Sequence, residues 1–158
     1  MRKILTRLVK NFEEIVLSLL FLNMCVFVLI QIVSRYIFRS PILFTEEVSR
    51  YSYVWITFFG MAVATKLENH IKIDLLFILL KGKAQVILNL LVNFLSFFLY
   101  ILIFIIGYNY TVTNMIQLSP AMEISKGFIY VSLPLGALFS IVRLLVIIKK
   151  EIDTLRTV

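Results

Sequence analysis

Histidine and cysteine are almost missing from this chain, which has one of each, His70 and Cys25, in 158 residues. Structural zinc sites draw four ligands from these residue types, and a disulfide needs two thiols, so neither can be assembled within one chain. A haem-bearing membrane anchor wants at least two histidines inside helices, and His70 lies between apolar runs. Glycine and proline are also scarce, with 5 and 3. No glycine-rich phosphate loop is present, and no serine or cysteine stands beside a histidine and a carboxylate at a catalytic spacing. The chain reads as a non-enzyme without a cofactor or metal of its own. Charge is thin as well: 16% of residues are charged and 61% are hydrophobic. With a mean hydropathy of +0.98, too few polar side chains remain to wet the surface of a soluble domain.

What is abundant is the long apolar run. A bilayer core takes about 20 apolar residues as a helix. Runs at about 15–37, 47–65, 86–108 and 128–148 each satisfy that requirement. The first ends in Ser34-Arg35-Tyr36, not in a small-residue cleavage site, and is read as a retained helix instead of a signal peptide. The expected fold is an all-α membrane protein, residues 1–158 forming a single integral membrane domain of four transmembrane helices. A shorter apolar stretch at about 71–80 is bounded by Lys72 and Asp74 on one side and Lys81, Gly82 and Lys83 on the other. It is too short to span and is expected to lie at the interface, the alternative being an early turn of the third helix.

Basic residues set the orientation. With the amino terminus inside, Arg2, Lys3, Arg7, Lys10, Lys66, Lys72, Lys81, Lys83, Arg143, Lys149, Lys150 and Arg156 fall on the cytoplasmic side. Only Arg35, Arg39, Arg50 and Lys126 fall outside. Such a bias places both termini in the cytoplasm. It also gives the net charge of +7 a partner in anionic membrane lipids and removes the need for nucleic acid.

Ion-coupled transporters keep ionisable residues near mid-membrane, where their cost is tolerated only in a pathway. The centres of the four runs carry none, Arg35 and Arg143 being placed at helix ends where their stems snorkel. No inverted repeat or pair of broken helices appears. The chain reads as a partner, not as a transporter on its own. Asn89, Asn93 and Ser96 share one face of the third helix, extended by Gln85 and Tyr100, and such a face avoids lipid either by packing within the unit or by meeting a partner. Arg35 and Arg39 face Glu46 and Glu47 across a turn containing Ser40 and Pro41, so that Arg35 is expected to pair with one of the two glutamates. Gly60 suits close approach of a neighbouring backbone. Trp55 is too deep for the interfacial belt and is assigned to helix packing. His70 and Asp74 are i, i+4 neighbours on a helical inner segment, either as an anchor or as a pH-sensitive pair. Pro134 removes a backbone hydrogen bond from the fourth helix and is expected to kink it.

The order of these features resembles one family. Ser34-Arg35-Tyr36-Ile37-Phe38, Glu46-Glu47 with Tyr51, Trp55, Phe59-Gly60 and His70-Ile71-Lys72-Ile73-Asp74-Leu75-Leu76 look like the small membrane subunit of tripartite ATP-independent periplasmic (TRAP) transporters. Ser119-Pro120-Ala121 and Tyr130-Val131-Ser132-Leu133-Pro134-Leu135-Gly136 fit its closing pattern, with Ser125 standing where related chains often have proline. The resemblance implies an inner-membrane accessory or scaffold subunit of a sodium-coupled importer of organic acid anions, of the C4-dicarboxylate, sialic acid or keto acid type. It implies two protein partners, a large permease subunit carrying the substrate and sodium sites and a periplasmic substrate-binding protein. A stand-alone four-helix exporter is the nearest competitor, but such exporters resemble one another around a glutamate within the first helix, whereas Glu13 and Glu14 precede the apolar run. A structural subunit of another membrane complex is the remaining alternative.

Overall fold

The computed structural model describes residues 12–67 and 83–157. The 71–80 stretch, with His70 and Asp74, lies outside the described residues. The described chain is helical: α1 (Phe12–Tyr36), α2 (Leu43–Lys66), α3 (Lys83–Thr113), a single turn α4 (Gly127–Tyr130) and α5 (Ser132–Thr157). Hydropathy and length make three crossings sufficient by composition, Phe12–Tyr36, Ile87–Thr113 and Gly127–Asp153. The 24 residues of α2 extend about 36 Å at 1.5 Å per residue, enough to accompany them.

The helix ends have local causes. Glu13 and Glu14 in the first turn of α1 and Arg35 in its last complement the helix dipole. Beyond Tyr36 the chain stays wound against α1, Ile37 N donating to Val33 O at 2.9 Å and Ser40 N to Ser34 O at 3.1 Å. Arg39 takes the left-handed conformation with φ 51°, which reverses the chain before Pro41. At the far end of α3, Tyr110 O accepts from both the backbone N of Asn114, at 3.1 Å, and its side-chain amide, at 2.7 Å, which closes the last turn.

Two expectations about helix boundaries are corrected here. α3 runs on to Thr113 and α5 to Thr157, several residues past the apolar runs, because polar residues continue a helix once it emerges from hydrocarbon. The expected kink at Pro134 appears instead as an interruption at Val131, between α4 and α5. Pro134 is the third residue of α5, where a missing N–H costs little because first-turn amides have no intrahelical acceptor.

The helices form an open row, in the order α1, α2, α5, α3. Among the described residues, no comparable packing joins α1 to α3. Burial follows that order: none of the most apolar window of α1 is buried within the chain, against 17% for α3 and 33% for the final helix. The core is narrow, with Phe59, Ala62, Val63, Tyr100, Ile129, Ala137 and Leu144 buried. α2 and α5 approach closely at Gly136, where a Cβ would lie 2.5 Å from the Phe58 carbonyl oxygen. At Gly107 a Cβ would lie 2.8 Å from Leu133 Cβ, so α3 approaches the start of α5 through its own glycine. Without hydrophobic drive between helices in lipid, such small-residue contacts supply the packing. Buried hydroxyls between the helices return their proton to their own helix: Ser140 to Gly136 O at 2.8 Å and Thr111 to Gly107 O at 2.7 Å. Polar side chains can therefore sit in tight seams without an unmet donor.

Candidate assembly interface

Polar contacts concentrate at the two ends of the row. At the end formed by 37–42 and 114–126, Glu47 is buried and its two oxygens accept from Ala121 N and Met122 N, each at 3.1 Å. That carboxylate ties the loop between α3 and α4 onto α2 from 74 positions away. The loop has internal order of its own. Leu118 and Ser125 form an isolated antiparallel bridge, Ser119 N donates to Ile124 O at 2.8 Å, and Lys126 N donates to Gln117 O at 2.8 Å. Glu123, with φ 54°, turns the tip. The Ser125 hydroxyl donates to Met115 O and accepts from Gly127 N, so serine serves here both to close the loop and to start α4.

Arg35 approaches Glu46 at 3.8 Å, and both side chains are about half exposed. Of the two candidate glutamates, the pair forms with Glu46, while Glu47 serves the loop. Exposed pairs of this length contribute less than about 1 kcal/mol. Arg39 does not join: among the described residues it makes no ion pair, because its left-handed backbone carries it into the turn.

At the opposite end, charges clamp the helices together. Arg143 donates to Glu13 Oε1 from Nε at 3.2 Å and from Nη2 at 3.0 Å, linking α5 to α1 across the position of α2. Lys66 meets Glu14 Oε1 at 2.9 Å, and the Asn93 side-chain amide donates to Glu151 Oε2 at 2.7 Å. The placement of Arg143 at a helix end is thus corrected: α5 extends to Thr157, so the arginine is interior and holds a glutamate that is 5% exposed. A guanidinium in an otherwise apolar run was itself the signal, since such a charge demands a counter-ion. The partner was not visible, because Glu13 is 130 positions away.

The remaining candidates are dispersed. Trp55 packs on Phe59 and Phe128 with ring centroids 5.5 and 6.0 Å apart, joining α2 to α4. On α3, Asn93 is buried against α5, Asn89 is half-buried, and the Ser96 hydroxyl returns to Val92 O at 2.9 Å; Tyr100 bonds Thr65 across the α2–α3 gap at 2.9 Å. The central member of that face, Asn93, therefore serves the unit's own packing. Gly60 is corrected as a close backbone contact within the chain: a Cβ there would meet nothing nearer than Leu17 Cδ1 at 3.8 Å. The close approach belongs to Gly136.

An open row of hydrophobic helices clamped at its ends, with one ordered loop, defines a helical membrane subunit. A family model for the DctQ component of tripartite ATP-independent periplasmic transporters matches residues 24–154. The chain belongs to this family, whose members are transport components and not enzymes. It is 27% identical over 141 residues to the sialic acid TRAP transporter small permease protein SiaQ of Vibrio cholerae, covering 89% of this chain and 82% of that protein. It is 26% identical over 137 residues to the ectoine TRAP transporter small permease protein TeaB of Halomonas elongata, covering 84% and 70%. Against the sialic acid TRAP transporter permease protein SiaT of Haemophilus influenzae it is 27% identical over 135 residues, 85% of this chain and 22% of that protein.

Proposed function

We propose that this chain is the small scaffold subunit of a sodium-coupled TRAP importer for a carboxylate-bearing solute. It lies in the bacterial inner membrane with both termini in the cytoplasm. It works with a large permease subunit, which carries the substrate and sodium sites, and with a periplasmic binding protein. This chain binds no cofactor of its own. The family match over most of the chain carries this reading. Sialic acid and ectoine, named for two of the relatives, share a carboxylate.

The row supports an accessory role. Its interior ionic groups are spent on structure, Arg143 on Glu13 and Lys66 on Glu14, and among the described residues no chain of titratable groups runs through its centre. The loop 114–126, held by Glu47, lies on the periplasmic side in the orientation that the basic residues favour. It presents Met115, Ile116 and Leu118, the isoleucine 91% exposed, as a firm apolar surface for the binding protein. The test compares proteoliposomes with the small chain, the large subunit, or both, under an inward sodium gradient with loaded binding protein outside. Uptake requires both. Uptake by the small chain alone would overturn the accessory assignment, and full uptake by the large subunit alone would remove the requirement.

A further inference from the structure

α1 forms one open edge of the row, and a carboxamide stands at its mid-depth. Asn23 lies about 16 Å along the axis from the start of α1 and about 20 Å from its end. Its side-chain oxygen accepts from the Ser52 hydroxyl of α2 at 3.0 Å. The residue is nevertheless exposed, and among the described residues its amide nitrogen, a donor of two hydrogens, meets no acceptor. Leu19, Val26, Ile30 and Val33 recur beside it at helical spacing and are exposed too. Asn23 is thus the polar member of an otherwise apolar stripe.

An amide donor left in hydrocarbon is costly, so depth decides what can meet it. Water and lipid headgroups stay outside a hydrocarbon layer about 30 Å thick, and a side chain as short as asparagine does not reach from its middle to either edge. A second copy of this chain would bring the same group, whose oxygen Ser52 already engages, and two donors facing each other match poorly. A different helix with a free acceptor fits. In the Haemophilus influenzae permease protein the matched stretch is 22% of one longer chain, so a unit of this kind is held there in one polypeptide with much further permease sequence. The opposite edge of the row differs: the middle of α3 exposes Leu95, Phe98 and Leu102, a surface that hydrocarbon chains accept.

We infer that the α1 stripe through Asn23 receives a transmembrane helix of the large permease subunit, which offers a hydroxyl or carbonyl oxygen to the Asn23 amide. The inference rests on the small-subunit assignment above and names the face and the depth at which that assembly is made. The apolar members of the stripe supply packing, and the amide fixes the register of the incoming helix, as a lone asparagine does in a coiled-coil seam.

The test uses the two-subunit complex in membranes, with a photo-crosslinking phenylalanine analogue placed singly at Leu19, Ile30, Phe21 or Leu95. Phe21 is exposed on the other side of α1. Positions 19 and 30 are expected to cross-link to the large subunit, and 21 and 95 to lipid. Alongside, Asn23→Leu should reduce co-purification of the large subunit about three- to tenfold, the range of hydrogen bonds between membrane helices. Ser52→Ala removes the same bond within the chain but keeps the Asn23 amide, and should reduce co-purification less than about twofold. The isolated chain should melt alike in both variants, so that the difference in co-purification reads the contact with the large subunit. Equal losses of co-purification would confine Asn23 to the α1–α2 contact and overturn the inference. Cross-links from 19 and 30 to lipid alone, or to a second copy of this chain, would overturn the proposed occupant, and cross-links to the large subunit from 21 or 95 alone would overturn the face. Each of these leaves the small-subunit assignment standing. Failure of the unsubstituted chain to co-purify with the large subunit would instead count against the assignment itself.

Discussion

Arg143 grips Glu13 by two nitrogens converging on one oxygen, at 3.2 and 3.0 Å, while the second glutamate oxygen is buried without a partner. The bond joins the first and last helices, which are not neighbours in the row. Removing the arginine strands a buried carboxylate, whereas removing both groups strands nothing. Arg143→Ala is therefore expected to lower stability by about 1–3 kcal/mol, allowing for the partial exposure of the guanidinium. The double variant Glu13→Ala/Arg143→Ala should recover part of that loss. Thermal unfolding in detergent, followed by fluorescence-detected size exclusion, reads both; equal losses in the single and double variants would contradict the pair.

The glycines separate by their surroundings. Gly136→Ala drives a methyl to 2.5 Å from the Phe58 carbonyl oxygen and should cost about 1–3 kcal/mol by forcing α2 and α5 apart. Gly60→Ala meets only ordinary contact with Leu17 and should leave the isolated chain unchanged or more stable by about 0.5–1 kcal/mol, alanine being the better helix former. Melting temperatures of the two variants should therefore move in different directions or by clearly different amounts.

Glu47→Ala leaves the amides of Ala121 and Met122 without their acceptors. Hydrogen bonds to charged groups contribute about 1.5–3 kcal/mol each, so the loop should open before the helices do. Hydrogen exchange at residues 119–124 should accelerate at least tenfold with the helix amides unchanged. Binding-protein-dependent uptake should fall with it.

Arg35→Ala, by contrast, should alter stability by less than about 1 kcal/mol, since its 3.8 Å contact with Glu46 is half exposed on both sides. A larger loss in the isolated chain, read by the same melting assay, would show that Arg35 does more than this contact explains.

Reporter fusions after Val158 and near Lys81 should both read cytoplasm, and one near Ser119 periplasm. A periplasmic signal from the carboxyl-terminal fusion would overturn the four-helix arrangement with both termini inside.

The sequence by itself determined the solvent, the helical class and the family. Hydrophobic length is a local property: about 20 apolar residues must become a helix in lipid wherever they stand. The same locality made the Arg35–Glu46 turn legible, its partners being close in sequence and joined by a short connection. Only the tertiary structure decided what depends on rotation and lateral order. It put α5 beside α2, gave the close approach to Gly136 instead of Gly60, assigned Glu47 to a loop 74 positions away, and matched Arg143 with Glu13 across 130 positions. Those choices are set by which helix faces meet and at what depth, and interhelical packing selects among rotations that hydropathy leaves equivalent.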